Sequence, residues 1–182
     1  MMVLYADASF AGDLRDSKST TGGMLCLIGP NTFAILCWIC KKQGAVSHSS
    51  SEAEIIALEA CLRMEGLPAL EFWDTVIDVF DPLPPQERQK PLAMAAALPA
   101  PRPSKPLNVF DVDWVPDGYV GPPRRAELVI LEDNEAVIKM SIKGRSILMR
   151  HVTRTHRVDL RWLFERFIED PCLLYTSPSP RD

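Results

Sequence analysis

The chain has 182 residues, 47% of them hydrophobic, which is enough for one domain with a sizeable core. The formal net charge is −4, so bulk charge does not point to a nucleic-acid partner. No run approaches the roughly 18 apolar residues of a membrane span, no secretory leader is visible, and five cysteines make no disulfide framework in a chain this long.

Met1 to Ala8 reads as a strand, and Asp7 is out of place in it: either a strand-end turn residue or a functional carboxylate. Ser17 to Gly23 reads as a loop in which Gly22-Gly23 permits a tight approach. Met24 to Ile28 and Phe33 to Cys40 read as strands joined by a hairpin turn at Gly29-Pro30-Asn31. Cys37 and Cys40 fall on opposite sides of the second of these, so they read as small core residues rather than a redox or metal pair.

The cluster Ser47-His48-Ser49-Ser50-Ser51 then breaks the strand, and Glu52 to about Arg63 reads as a helix with Ile55, Leu58 and Leu62 on one face. Ser49 and Glu52 fit a capping box, which by itself accounts for Glu52. Glu54 shares its side with Ala57, Leu58 and Cys61; it is either a snorkelling surface residue or a carboxylate that needs a partner at the edge of the core. Gly66-Leu67-Pro68 interrupts this helix, and Ala69 to Val79 continues it, kinked or as a second helix.

The domain is expected in two parts, 1–80 and 126–171, separated by residues 81–125, which hold 11 of the 16 prolines and read as an extended or disordered insertion. Within it, Val109 to Val115, with Phe110 and Trp114, could dock as one extended segment. Ala126 to Leu131 reads as a fourth strand ending in Glu132-Asp133-Asn134, with Asp133 a fitting N-cap for a helix Glu135 to Ile142. Acidic groups at that place are also where ligands gather in α/β sheets. Ile147 to Thr155 reads as a basic loop, and Val158 to Ile168 as a helix with Leu160, Leu163, Phe164 and Phe167 inward. Between Lys143 and Arg166, seven cations (Lys143, Arg145, Arg150, Arg154, Arg157, Arg161, Arg166) stand against Asp159 and Glu165, a stripe suited to phosphate contact or simply to a solvated face. Residues 172–182, CLLYTSPSPRD, match the one-frame translation of a transposase sequencing adaptor and are expected to be a read-through artefact outside the fold.

Trp38 to Leu58, with the pattern W-x-x-K-K-Q-x-x-V-x-x-S-S-x-E-A-E-x-x-A-L, resembles the ribonuclease H domain of copia-type LTR retrotransposon polyproteins. Three further blocks resemble it in order: Tyr5 to Gly23, Leu131 to Met140, and Arg154 to Arg166, where His156-Arg157-Val158-Asp159 stands for the usual Lys-His-Ile-Asp. The resemblance implies an α/β ribonuclease-H-like fold: a mixed sheet of antiparallel hairpin strands plus parallel strands flanked by helices, here with the last strand and helix missing. It implies Asp7, Glu54 and Asp133 as catalytic metal ligands for Mg²⁺ (or Mn²⁺), two ions in the complete domain. It implies an RNA–DNA hybrid as substrate and partner, met by Lys41, Lys42, Arg150, Arg154 and Arg157, a reverse transcriptase domain upstream, and a cytoplasmic virus-like particle or nuclear setting without a membrane. The family's fourth acidic position falls beyond Pro171; Asp159 is the nearby candidate for it. Two other readings stay open: a non-catalytic domain of the same fold that tethers nucleic acid, and an integrase-like relative.

Overall fold

The computed structural model describes residues 1–82, 125–169 and 172–176. Its frame is a five-stranded sheet in the order β3-β2-β1-β4-β5, with β1 (Met2–Ser9), β2 (Thr20–Gly29), β3 (Thr32–Lys42), β4 (Leu128–Glu132) and β5 (Cys172–Thr176). The first three strands are antiparallel, and β4 runs parallel to both β1 and β5. The mixed sheet of antiparallel and parallel strands expected from the sequence is thus present, and it carries the helices α1 (Ser50–Cys61), α2 (Leu67–Phe80), α3 (Glu135–Lys143), α4 (Val152–Thr155) and α5 (Leu160–Glu169).

Alternation along β1 buries Met2, Leu4 and Ala6 in one core with Leu128 and Ile130 of β4, Ile55, Leu58 and Leu62 of the first helical stretch, and Leu163 and Phe167 of α5. The apolar spacing read from the sequence is the spacing that is buried: Ile55, Leu58 and Leu62 are all fully enclosed. β2 begins at Thr20, four residues before the strand expected from Met24, because Thr20 to Gly23 pair with Ser9 to Ala6 of β1. Glycine lowers strand propensity, but at position 23 it is required: an added Cβ would stand 2.3 Å from Cys61 Sγ, so only glycine lets α1 lie this close to the sheet. Cys37 is half-buried and donates to Glu65 Oε2 at 2.9 Å, whereas Cys40 is exposed, contrary to its expected place in the core, because β3 is the sheet's outer strand.

The expected break at Gly66-Leu67-Pro68 is instead a π-helical turn, Leu62–Gly66, between α1 and α2. The wider turn accommodates Pro68, whose missing N–H and bulky ring would disrupt an ordinary helical step. Beyond α2 the two sides of the proline-rich stretch meet. Asp74 Oδ1 accepts the backbone N–H groups of Arg125 and Ala126 at 3.1 and 2.9 Å, and the Arg125 guanidinium pairs with Asp81. The segment Val109 to Val115, with Phe110 and Trp114, lies outside the described residues.

The last strand, expected to be missing, is present. Cys172–Thr176, which its sequence places outside the fold, forms β5 and pairs in parallel with Leu128 to Glu132. Backbone pairing and an apolar run suffice to extend a sheet whatever the origin of the run, and Leu174 enters the core 1% exposed. β4 is therefore an interior strand and not an exposed edge. Leu174→Ala is expected to lower stability by about 2–5 kcal/mol, as truncations of buried leucine do, read from the urea midpoint. An unchanged midpoint would show that this strand does not dock in solution.

Candidate functional site

Asp7, Glu54 and Asp133 come from β1, α1 and the residue just past β4, and one carboxylate oxygen of each lies within 4.8 Å of the others. Local structure explains each placement. Asp7 sits in β1 opposite Gly22. Glu54 leaves the second turn of α1, receives a backbone hydrogen bond from Ala8, and has Oε2 buried without a hydrogen-bond partner among the described residues. Asp133 is not the N-cap of α3. Asn134 takes that role, its side-chain oxygen accepting from Ala136 N and Val137 N at 3.1 and 3.3 Å, so the Asp133 carboxylate is not committed to capping.

Burial pushes the Glu54 carboxyl up to about 8, and the charges of Asp7 and Asp133 push it the same way. A fourth carboxyl lies beneath the group. Glu132, the last residue of β4, is fully buried; its Oε1 accepts from Asn134 N at 3.1 Å, and Oε2 has no partner among the described residues. Burial raises it to about 9, reinforced by the charges of Glu54, Asp133 and Asp7. Glu132 is not among the site residues expected from the sequence, although a glutamate ending an apolar strand is itself a signal. Three carboxylates held together, one with a buried oxygen lacking a hydrogen-bond donor, form a hard oxygen donor set that fits a divalent cation.

Asp159 does not join this group. It stands at the start of α5, where its Oδ1 accepts from Arg161 N at 2.9 Å, a helix-start role. The expected capping box at α1 is present in modified form. Ser49 Oγ accepts from Glu52 N at 3.1 Å, but Glu52 Oε2 accepts from the N–H of His48, at 2.9 Å, rather than from that of Ser49. Glu52 also faces two histidines that no sequence pattern connects to it. Oε1 lies 3.0 Å from His156 Nε2, and Oε2 lies 3.2 Å from His151 Nε2. Burial pushes the Glu52 carboxyl up, yet the His48 amide and these two rings together hold it below its ordinary value. Gln43 pins the approach to α1, donating to Thr21 Oγ1 and the Ala53 carbonyl while accepting from Ser47 Oγ.

No family model matches the sequence. Among solved structures, the chain is similar to RNase H1 from the halophilic archaeon Halobacterium salinarum, with 14% identity, a TM-score of 0.48, and coverage of 99% of this chain and 87% of that one.

The cations expected at a nucleic-acid face divide into two sets. Lys42 is committed within the molecule, its ammonium held by Asp13 and by Asp16, the latter at 2.9 Å. Lys41, Arg150, Arg154 and Arg157 are exposed. Arg161 pairs with Glu165 one helical turn away at 3.0 Å. No helix among the described residues is long and apolar enough to cross a membrane.

Proposed function

We propose that this chain is a ribonuclease-H-type endonuclease domain that hydrolyses the RNA strand of an RNA–DNA hybrid, of the kind found downstream of the reverse transcriptase in copia-type LTR retrotransposon polyproteins. The observation that carries this reading is the meeting of Asp7, Glu54 and Asp133 from three separate elements. Lone carboxylates on surfaces are common; three that the fold brings together against their mutual repulsion call for a cation. In this reading the three hold Mg²⁺ or Mn²⁺. When bound, such ions make a water nucleophilic and stabilise the leaving oxygen of an in-line phosphoryl displacement.

The chain's own part is to bind and orient. The Ala8 amide aims the Glu54 carboxylate, and the Asn134 cap leaves Asp133 available. The exposed Arg150, Arg154 and Arg157 meet the hybrid backbone, and the 2′-hydroxyl of RNA is the group that distinguishes the cleaved strand from DNA.

The direct test is cleavage of an end-labelled hybrid in Mg²⁺ or in EDTA, beside the matching DNA duplex. RNA-strand products that need the metal support the reading, whereas tight hybrid binding with no cleavage at any metal concentration identifies a non-catalytic tether. Cutting of the DNA duplex in preference to the hybrid would favour an integrase-like activity. For the arginines, the expected result is salt-dependent binding. Arg150→Ala, Arg154→Ala and Arg157→Ala should each reduce the slope of log K against log salt by about 0.7–0.9 for every phosphate left unneutralised. Slopes unchanged in all three would leave this stripe a solvated face.

A further inference from the structure

Capping the helix does not account for all that Glu52 does. Its side chain is 1% exposed, and its two oxygens face different partners: Oε1 lies 3.0 Å from His156 Nε2, a close contact without hydrogen-bond geometry, while Oε2 meets His151 at 3.2 Å and accepts from the His48 amide at 2.9 Å. His151 and His156 bracket α4, so they enclose Arg154 and adjoin Arg150 and Arg157. The same segment is seated on the core by Met149 and Val152, 8% and 1% exposed. The His48 ring meets that of His151 edge-on, with centroids 5.4 Å apart. Directly after His156, Arg157 has a φ of 58°, a left-handed conformation that a residue with a Cβ keeps only where its surroundings impose it. Glu52 and Glu54 both belong to α1, so one rigid helix bears the clamp on one side and a member of the acidic group on the other.

We infer that Glu52 is a positioning residue for nucleic acid. Through His151 and His156 it fixes Arg150, Arg154 and Arg157 in register with the helix that carries Glu54, so that the strand held by the arginines lies at a set distance from the acidic group. This rests on the hybrid-binding reading above. It gives Glu52 a role separate from both capping and metal binding.

The variant that isolates this role is Glu52→Gln, because glutamine keeps an oxygen able to accept the His48 amide while losing the carboxylate charge. Anisotropy of a labelled RNA–DNA hybrid, in Ca²⁺ to hold back turnover, is expected to show binding weakened about tenfold and a salt slope reduced by about 0.7–0.9, the share of one phosphate. His156→Asn, which breaks one of the two contacts, is expected to show part of this loss, and the double variant should add little to Glu52→Gln, since loss of the carboxylate charge already weakens both. Ser49→Ala, which removes the cap and leaves the clamp, should lower the melting temperature without altering the slope. Wild-type affinity and slope in Glu52→Gln would overturn the inference while leaving the hybrid reading intact, and so would effects of Glu52→Gln and His156→Asn that simply add. A wild-type chain that binds no hybrid would overturn both.

Discussion

Asp7→Asn is expected to reduce Mg²⁺-dependent cleavage of the hybrid by at least about a hundredfold, the scale of losing one electrostatic element of an active site, and to raise the stability of the metal-free chain. The two effects have one cause. Oxygens of Asp7, Glu54 and Asp133 stand within 4.8 Å of one another, so in the absence of a cation each added charge opposes the others. Removing one charge relieves that opposition and at the same time removes a ligand. Thermal melting should therefore show a higher midpoint for the variant in EDTA. The wild type should gain the more on adding Mg²⁺, since a ligand at about a hundred times its Kd stabilises by about 2.7 kcal/mol. Asp133→Asn should behave alike. Undiminished cleavage in either variant would place the chemistry elsewhere; equal Mg²⁺ gains in wild type and variant would show that these residues hold no ion.

The metal-free chain is expected to lose stability as pH rises from about 4.5 toward 9. Glu54 and Glu132 are raised from an ordinary 4.5 to about 8 and about 9, each chiefly by burial. A carboxyl raised in the folded state binds a proton there that the unfolded chain has already released. Its stabilising contribution is complete below the unfolded value and disappears as pH climbs through the folded one. Between those limits each group contributes a slope of up to about 1.4 kcal/mol per pH unit. Urea midpoints in EDTA across this range should fall, and Glu132→Gln should flatten the curve because the amide has no proton to lose. Mg²⁺ should flatten Glu54's part, since a bound cation favours its ionised form. Stability independent of pH in EDTA would mean that water reaches both carboxyls and that they are ordinary.

Much of the frame was legible along the chain because it depends on short-range patterns. Ile55, Leu58 and Leu62 mark their helix by spacing alone, Gly29-Pro30-Asn31 marks its hairpin, and Ser49 marks a helix start, all from interactions spanning a few residues. Asp7, Glu54 and Asp133 stood out for a related reason: a carboxylate within an apolar pattern conflicts with its surroundings. That they lie together was implied by resemblance and decided by the sheet, since only the parallel pairing of β1 with β4 brings positions 7 and 133 to one end.

What tertiary structure alone decided involves partners distant in sequence. Glu52 could be read locally as a cap; its two histidines lie 99 and 104 positions away, and no periodicity connects them. Lys42 looked like a free cation until the β1–β2 loop brought Asp13 and Asp16 to it. Asp133 read as the cap of α3, but Asn134 took that role, because its side-chain oxygen is the one the α3 amides reach. For Cys172–Thr176, the match to a translated adaptor argued against any place in the fold, yet β4 offered an open row of backbone donors and acceptors, and an apolar run was enough to fill it.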